Sequence, residues 1–236
     1  MYTLITANRN YSSWSLRPWV LMRALGIAFA DRIEPFTKPE NWQEFRAFSP
    51  TGQVPALIDG AVTQWDSLGI TLYLADRHEG VWPKDSAARA FAQSVVAEMH
   101  GGFSALRNRC TMNVGVRATL STMGSTMGPA IAGDLARDIA RIGEIFTEGL
   151  TRFGGPWLAG ADFTAADAFY APVAFRIRTY GLNVGTKGAQ WVATVLAHPA
   201  MLEWEAAALA ETWREAEHEA DLARCGTITA DYRTAP

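Results

Sequence analysis

The chain has 236 residues, 49% hydrophobic and 19% charged, which excludes a disordered chain and allows one large domain or two unequal ones. A net charge of -3 argues against a basic nucleic-acid binder, and no apolar run approaches the roughly 18 residues of a membrane span. Cys110 and Cys225 are too few and too far apart for a disulfide framework or a zinc site, and with no secretory signal at the start a cytoplasmic location is expected.

Tyr2 to Thr6 reads as a strand of β-branched and aromatic residues. Ser12-Ser13 then opens a helical pattern that closes at Gly26, with Pro18 early enough to be tolerated. Ala28 to Glu34 reads as a second strand and Asn41 to Phe48 as a short helix. Val54 to Ile58, Asp59-Gly60 and Ala61 to Gln64 read as strand, two-residue turn and strand. Asp66 to Arg77 reads as a helix with Leu68, Leu72 and Leu74 inward. After Pro83 helices are expected at Ala87 to Leu106, Ala130 to Phe153, Thr164 to Tyr180 and Pro199 to Trp213. Asn108 to Pro129 reads as a long connection, and no pattern is visible after Glu219.

The common chemical signatures are absent: there is no GxGxxG, phosphate loop, HExxH or EF-hand, and His78, His100, His198 and His218 lack ligand spacing. Four local features remain. Ser12 and Ser13 sit at a helix start, where a serine either caps the helix or joins the free amides in holding an anion. Val54-Pro55 opens a strand with a residue that cannot donate to a ladder. Asp66-Ser67 precedes a helix and either caps it or binds an ammonium and a carboxylate. Thr164 and Asp167 form a capping box, with Phe163 and Ala168 placed as a hydrophobic staple, which is a structural feature.

Taken together and in this order, these residues resemble a cytosolic glutathione transferase over most of the chain. The resemblance implies an α/β thioredoxin-like domain over 1–79, a linker at 80–87, an all-helical domain over 88–218 and a tail at 219–236. Val54-Pro55 matches the family's cis-proline, whose preceding backbone pairs with the cysteinyl part of glutathione. Asp66-Ser67 matches the pair that holds the γ-glutamyl group, and Trp157-Leu158-Ala159-Gly160 before the capping box matches a further family feature. Ser12-Ser13-Trp14-Ser15-Leu16-Arg17 resembles the serine-type zeta motif Ser-Ser-Cys-x-x-Arg, which puts the activating serine at Ser12. Other serine classes place it four residues before the arginine, at Ser13. Trp14 stands where the zeta cysteine would be, which argues against maleylacetoacetate isomerisation and against cysteine-type thiol exchange.

What the resemblance implies is a glutathione transferase, with glutathione as co-substrate, no metal, and Ser12 or Ser13 stabilising the thiolate. The expected glutathione contacts are Trp14, Lys38, Trp42, Gln53, Val54, Pro55, Asp66 and Ser67. A small hydrophobic electrophile is expected against Trp14, Arg107 and Asn108, within a wall running from His100 to Asn108. Arg107, Arg109 and Arg176 are candidates for an anionic substrate or ordinary solvated arginines. A homodimer is the family's usual assembly. Two other readings share the fold: a zeta-like glutathione-dependent isomerase, and a non-catalytic carrier of apolar ligands.

Overall fold

The computed structural model describes residues 1–36, 41–120 and 129–235, with side chains omitted at 129–132. The opening alternation of strand and helix folds as a thioredoxin-like layer: β1 (Tyr2–Thr6), α1 (Ser13–Ala24), β2 (Phe29–Ile33), α2 (Asn41–Phe45), β3 (Ala56–Asp59), β4 (Val62–Trp65) and α3 (Ser67–Ala75). The strands form one sheet in the order β2-β1-β3-β4, with β2 parallel to β1 and the other pairs antiparallel. Helices α1 and α3 pack together beside this sheet. The β3–β4 turn lies one residue later than the sequence indicates. Asp59 pairs with Val62, so Gly60-Ala61 forms the loop, and Gly60 supplies the positive φ of 59° that such turns need. In α3 the inward face is Ile70, Thr71 and Leu74, while Leu72 points outward at 51% exposure.

The second half carries α4 (Ser86–Gly101), α5 (Ser104–Arg109), β5 (Val116–Leu120), α6 (Pro129–Phe153), α7 (Ala165–Tyr180), α8 (Gly185–Leu196), α9 (Pro199–Ala210), α10 (Ala216–Cys225) and β6 (Gly226–Asp231). The helix expected from Ala87 to Leu106 is two helices. Gly101-Gly102 weakens the chain there, Gly102 is extended, and Phe103 takes φ 55°, so α5 starts in a new direction. The segment read as a long connection contains β5, and the segment read as patternless contains most of α10 and all of β6. The two strands pair antiparallel, Val116 opposite Asp231, and form a ribbon on the helical half.

Helix α7 is the centre of this half, buried along nearly all its length. It begins at the expected capping box: the Thr164 hydroxyl accepts from the Ala166 amide, and Asp167 accepts from the Thr164 amide at 3.1 Å. Asp167 also accepts from the Leu158 amide and the Trp191 indole, each at 2.9 Å. Burial pushes its carboxyl up to about 6, and these donors pull it back.

The two halves share one apolar core, which runs from Leu4 and Trp19 through Phe146 and Trp191 to Leu222. Side chains of this size each contribute about 1.5–3 kcal/mol when fully buried. The seam is α1 against α7 and α9. Arg9 closes it, with its guanidinium 5.0 Å from the Trp19 ring and 4.6 Å from the Trp204 ring and paired with Asp31 at 2.5 Å. The Arg9 amide donates to Glu211 at 2.7 Å, and the Trp204 indole donates to the Arg9 carbonyl at 2.9 Å. No helix among the described residues is long and apolar enough to cross a membrane.

Candidate functional site

A cleft of about 980 Å³ opens where the sheet half meets the helical half. Its floor is the start of α1. Asn8 to Tyr11 make a tight turn, with the Ser12 amide donating to the Asn8 carbonyl at 2.9 Å, and the chain then enters the helix. Ser12 occupies the N-cap position, but its hydroxyl does not cap. It donates instead to Ser15 Oγ at 2.7 Å, and Ser15 Oγ also accepts from the Ala7 amide at 3.3 Å. Ser13 Oγ accepts a hydrogen bond from Arg176 Nη2 at 3.3 Å. The first turn of a helix exposes amides that no carbonyl within the helix reaches, and its dipole favours negative charge there.

Tyr11 is another hydroxyl at this floor, but its hydrogen goes to Glu219 at 2.6 Å. Burial and that carboxylate push the phenol well above its usual range. It is therefore engaged as a structural donor.

One wall comes from the sheet half. The Val54–Pro55 peptide is cis, and among the described residues neither backbone group of Val54 has a hydrogen-bond partner. Gln53, Trp42 and Trp65 stand beside it, exposed. The Trp42 indole donates to the Thr51 carbonyl at 3.1 Å and lies over Gly52. Asp66 takes φ 67°, unusual for a residue with a Cβ, and its Oδ1 accepts from the Leu68 and Gly69 amides at 2.8 and 3.3 Å. Ser67 lies behind it at 1% exposure, and its Oγ is buried without a partner among the described residues. A buried hydroxyl left unpaired is destabilised by about 1–3 kcal/mol.

The facing wall is α4, α5 and α7. His100, Arg107, Asn108 and Arg176 line it, and Trp14 projects between the walls with the His100 ring 5.3 Å away. Arg107 lies 5.3 Å over the Trp14 ring. Arg17 is buried behind, 4.0 Å from Trp14 and 4.9 Å from Phe169. Burial and its neighbours Arg107 and Arg176 push the Arg17 guanidinium down to about 9; burial likewise takes Arg176 to about 10. Burial also lowers the His100 imidazole, with Asp66 at 3.7 Å opposing.

The outer rim is α10 with the Glu215 that caps it, and it supplies Glu215, Glu217, His218 and Asp221. The His218 ring stacks on Tyr11 at 4.9 Å and on Phe36 at 5.6 Å. Arg233, just after β6, ties Glu219 and Asp231 at 2.6 and 2.7 Å.

Of the residues singled out from the sequence, Ser12, Ser13, Trp14, Trp42, Gln53, Val54, Pro55, Asp66, Arg107 and Asn108 come together around this cleft, with Ser67 behind them. Arg109 is not among its lining residues, and Lys38 lies outside the described residues. The α10 rim and Thr111, Met112 and Phe36 were not visible in sequence reasoning. The signal that could have revealed the helix carrying this rim is the acidic, amphipathic run around His218.

Cys110 lies just behind α5, fully buried, and burial pushes its thiol up to about 12. An alkylating reagent at pH 8 is expected to leave Cys110 unmodified in the folded protein and to label it after denaturation. Peptide mass mapping checks this; equal labelling in both states would contradict the burial argument.

The family model for the glutathione S-transferase N-terminal domain matches residues 11–77, and that for the C-terminal domain matches residues 90–207. Glutathione S-transferase 3 of Zea mays is 30% identical over 132 residues, 54% of this chain and 57% of that protein. Glutathione S-transferase T1 of Arabidopsis thaliana is 26% identical over 60% of this chain and 56% of that protein. The chain thus spans about half the length of these curated relatives. A solved glutathione transferase homologue from Burkholderia, with bound glutathione, superposes with a TM-score of 0.64 at 20% identity, covering 86% of this chain and 95% of that one.

Proposed function

The chain belongs to the glutathione S-transferase family, and on that premise we propose that it binds reduced glutathione in this cleft and adds the thiolate to a small hydrophobic electrophile, with the Ser13 hydroxyl as the thiolate's hydrogen-bond donor. The hydrogen-bond pattern at the start of α1 carries this reading. Ser12 gives its hydrogen to Ser15, and Tyr11 gives its hydrogen to Glu219. The Ser13 oxygen accepts from Arg176, which leaves its own hydrogen for a group in the cleft.

A serine hydroxyl is not a base at neutral pH. It donates to the thiolate and, with the exposed amides and dipole of the first turn, lowers the thiol pKa by preorganised electrostatics. The S–H bond breaks and the proton passes to water; a carbon–sulfur bond forms, and any leaving group departs with its electron pair. In this reading the unpaired Val54 backbone receives the cysteinyl unit. Asp66 Oδ2 takes the ammonium, Ser67 Oγ takes the γ-glutamyl carboxylate, and Gln53 and Trp42 border the glycyl end. Trp14, Arg107 and Asn108 wall the electrophile. The exposed Val62 on edge strand β4 and Leu72 on α3 support a homodimer, which a monomeric mass at micromolar concentration would overturn.

Calorimetric titration with reduced glutathione tests the reading. Saturable binding near one per chain, at millimolar or lower concentration, is expected. Absence of binding would turn the assignment toward a carrier on the same fold.

Gly52 offers an independent check of the glycyl end. Its φ is 67°, and an added Cβ would stand 2.6 Å from the Trp42 ring and 2.9 Å from the Trp42 carbonyl. Gly52→Ala is expected to destabilise this loop by about 1–3 kcal/mol. The glutathione dissociation constant should rise several-fold while the serines stay untouched. Unchanged affinity would remove Trp42 from the binding site.

A further inference from the structure

Three arginines gather behind the Trp14 corner of the cleft without an ion-paired carboxylate, and the charge of Asp66 only partly offsets the burial of Arg17. Among the described residues no carboxylate is ion-paired with Arg17, Arg107 or Arg176. Arg17 is 2% exposed, and its Nε and Nη1 have no hydrogen-bond partner. Arg176 is 5% exposed. Its Nη1 donates to the carbonyls of Arg107, at 3.3 Å, and Cys110, and its Nη2 donates to Ser13 Oγ at 3.3 Å. Burying unpaired cations side by side is unfavourable, and a site built this way is stabilised by the arrival of negative charge.

The geometry of Arg176 says where that charge belongs. Its guanidinium is clamped on two carbonyls of the helical half, and its remaining edge is aimed at one serine of the sheet half. A hydroxyl whose oxygen already accepts from a guanidinium turns its own hydrogen elsewhere, and Ser13 lines the cleft. We infer that Arg176 is a positioning residue: it fixes the Ser13 hydroxyl as a donor toward the cleft and, with Arg17 and Arg107, supplies the counter-charge for a thiolate formed there. The inference rests on the reading that glutathione binds with its sulfur at Ser13. It adds that the helical half, not only the sheet half, sets how readily that sulfur ionises.

Other titratable groups face this corner too, among them Tyr170 on α7, whose phenol acts on Arg17. Burial pushes the thiol of Cys110 and the phenol of Tyr180 on α7 each up to about 12, and lowers His100 on α4. Asp66 approaches from the start of α3, and α10 with its cap contributes Glu215, Glu217, His218 and Asp221 to the rim.

The test compares Arg176→Met and Arg176→Lys with the unaltered full chain. Thiolate formation in the glutathione complex is followed against pH by ultraviolet absorbance, and kcat/KM against pH with neutral chlorodinitrobenzene and anionic chloronitrobenzoate. Arg176→Met is expected to move the thiolate titration and the acid limb of kcat/KM about one pH unit higher. At pH 6.5 it should lower kcat/KM about tenfold for both electrophiles. Arg176→Lys keeps the charge and loses the fork, and should recover part of the shift. S-methylglutathione, which has no thiol to ionise, should bind all three proteins alike, showing an intact cleft.

An unmoved titration in either variant overturns the inference. So does a loss confined to KM for the anionic electrophile, which would make the cluster a reader of substrate charge. If Arg176→Met does not fold, the lysine variant decides alone, with a titration that does not move counting against the inference. Failure of the unaltered protein to bind glutathione would instead overturn the underlying reading, and the two failures are thereby distinguished.

Discussion

Replacing Ser13 by alanine is expected to lower kcat/KM for glutathione conjugation by about 10²–10³, the range for removing one preorganised donor from a developing or resident anion. The loss should appear in kcat at neutral pH, because the tripeptide is held elsewhere, by the Val54 backbone, Asp66 and Ser67. S-methylglutathione affinity should change by less than about threefold. Ser12→Ala makes the contrast. Its hydroxyl donates to Ser15 at 2.7 Å inside the floor of the cleft, so its removal should cost about 1 kcal/mol of stability and less than about tenfold in turnover. The opposite ranking, with Ser12→Ala the more damaging, would transfer the donor role to Ser12. Steady-state kinetics of the two single variants settle the order.

The second large effect is on stability. Asp167→Ala is expected to destabilise the protein by about 3–5 kcal/mol. It would leave the Leu158 amide, the Thr164 amide and the Trp191 indole as buried donors without an acceptor. These groups join the Trp157–Gly160 turn, the α7 N-terminus and α8, so one carboxylate holds three segments of the helical half. For a protein of this size the expected fall in Tm is about 6–20 °C, measured by thermal unfolding. Asp167→Asn should recover little, since its amide nitrogen would face further N–H donors. A fall below about 2 °C would show that water or relaxation satisfies these groups.

Much of the sheet half is legible in the sequence because its signals are local. Tyr2–Thr6 is a strand by composition, Asp59-Gly60 marks the hairpin to within one residue, and serines and Gly26 bracket α1. The capping box at Thr164 and Asp167 is legible for the same reason. What sequence reasoning missed depends on distant partners. Val116–Leu120 is five residues long and becomes a strand only because Gly226–Asp231 lies against it. The Gly185–Leu196 helix opens on a weak, glycine-containing segment and is stabilised by burying Trp191. Leu72 fits an inward stripe by hydrophobicity, yet the sheet takes the face with Ile70 and Leu74.

At the site, the resemblance groups the two serines with Val54 and Asp66, and these four line one cleft. The different hydrogen bonding of the two serines is not legible in the sequence, because Ser13 is contacted by Arg176, 163 residues away in the chain. The α10 rim was hidden for a related reason. Its contact with Tyr11 is made by Glu219, 208 residues further on, and no local periodicity reports such a contact.

The Arg9 guanidinium seated against the Trp19–Trp204 pair bears on how this protein comes apart. The sheet half and the helical half share one apolar core and so do not form two separate stabilities. The α1 face that would be bared by removing the helical half is the same apolar surface that holds α7 and α9. The halves should therefore melt as one cooperative unit, with a single transition seen by every probe, in contrast to linked domains that unfold in turn. Either half taken alone would expose the α1–α7–α9 seam to water.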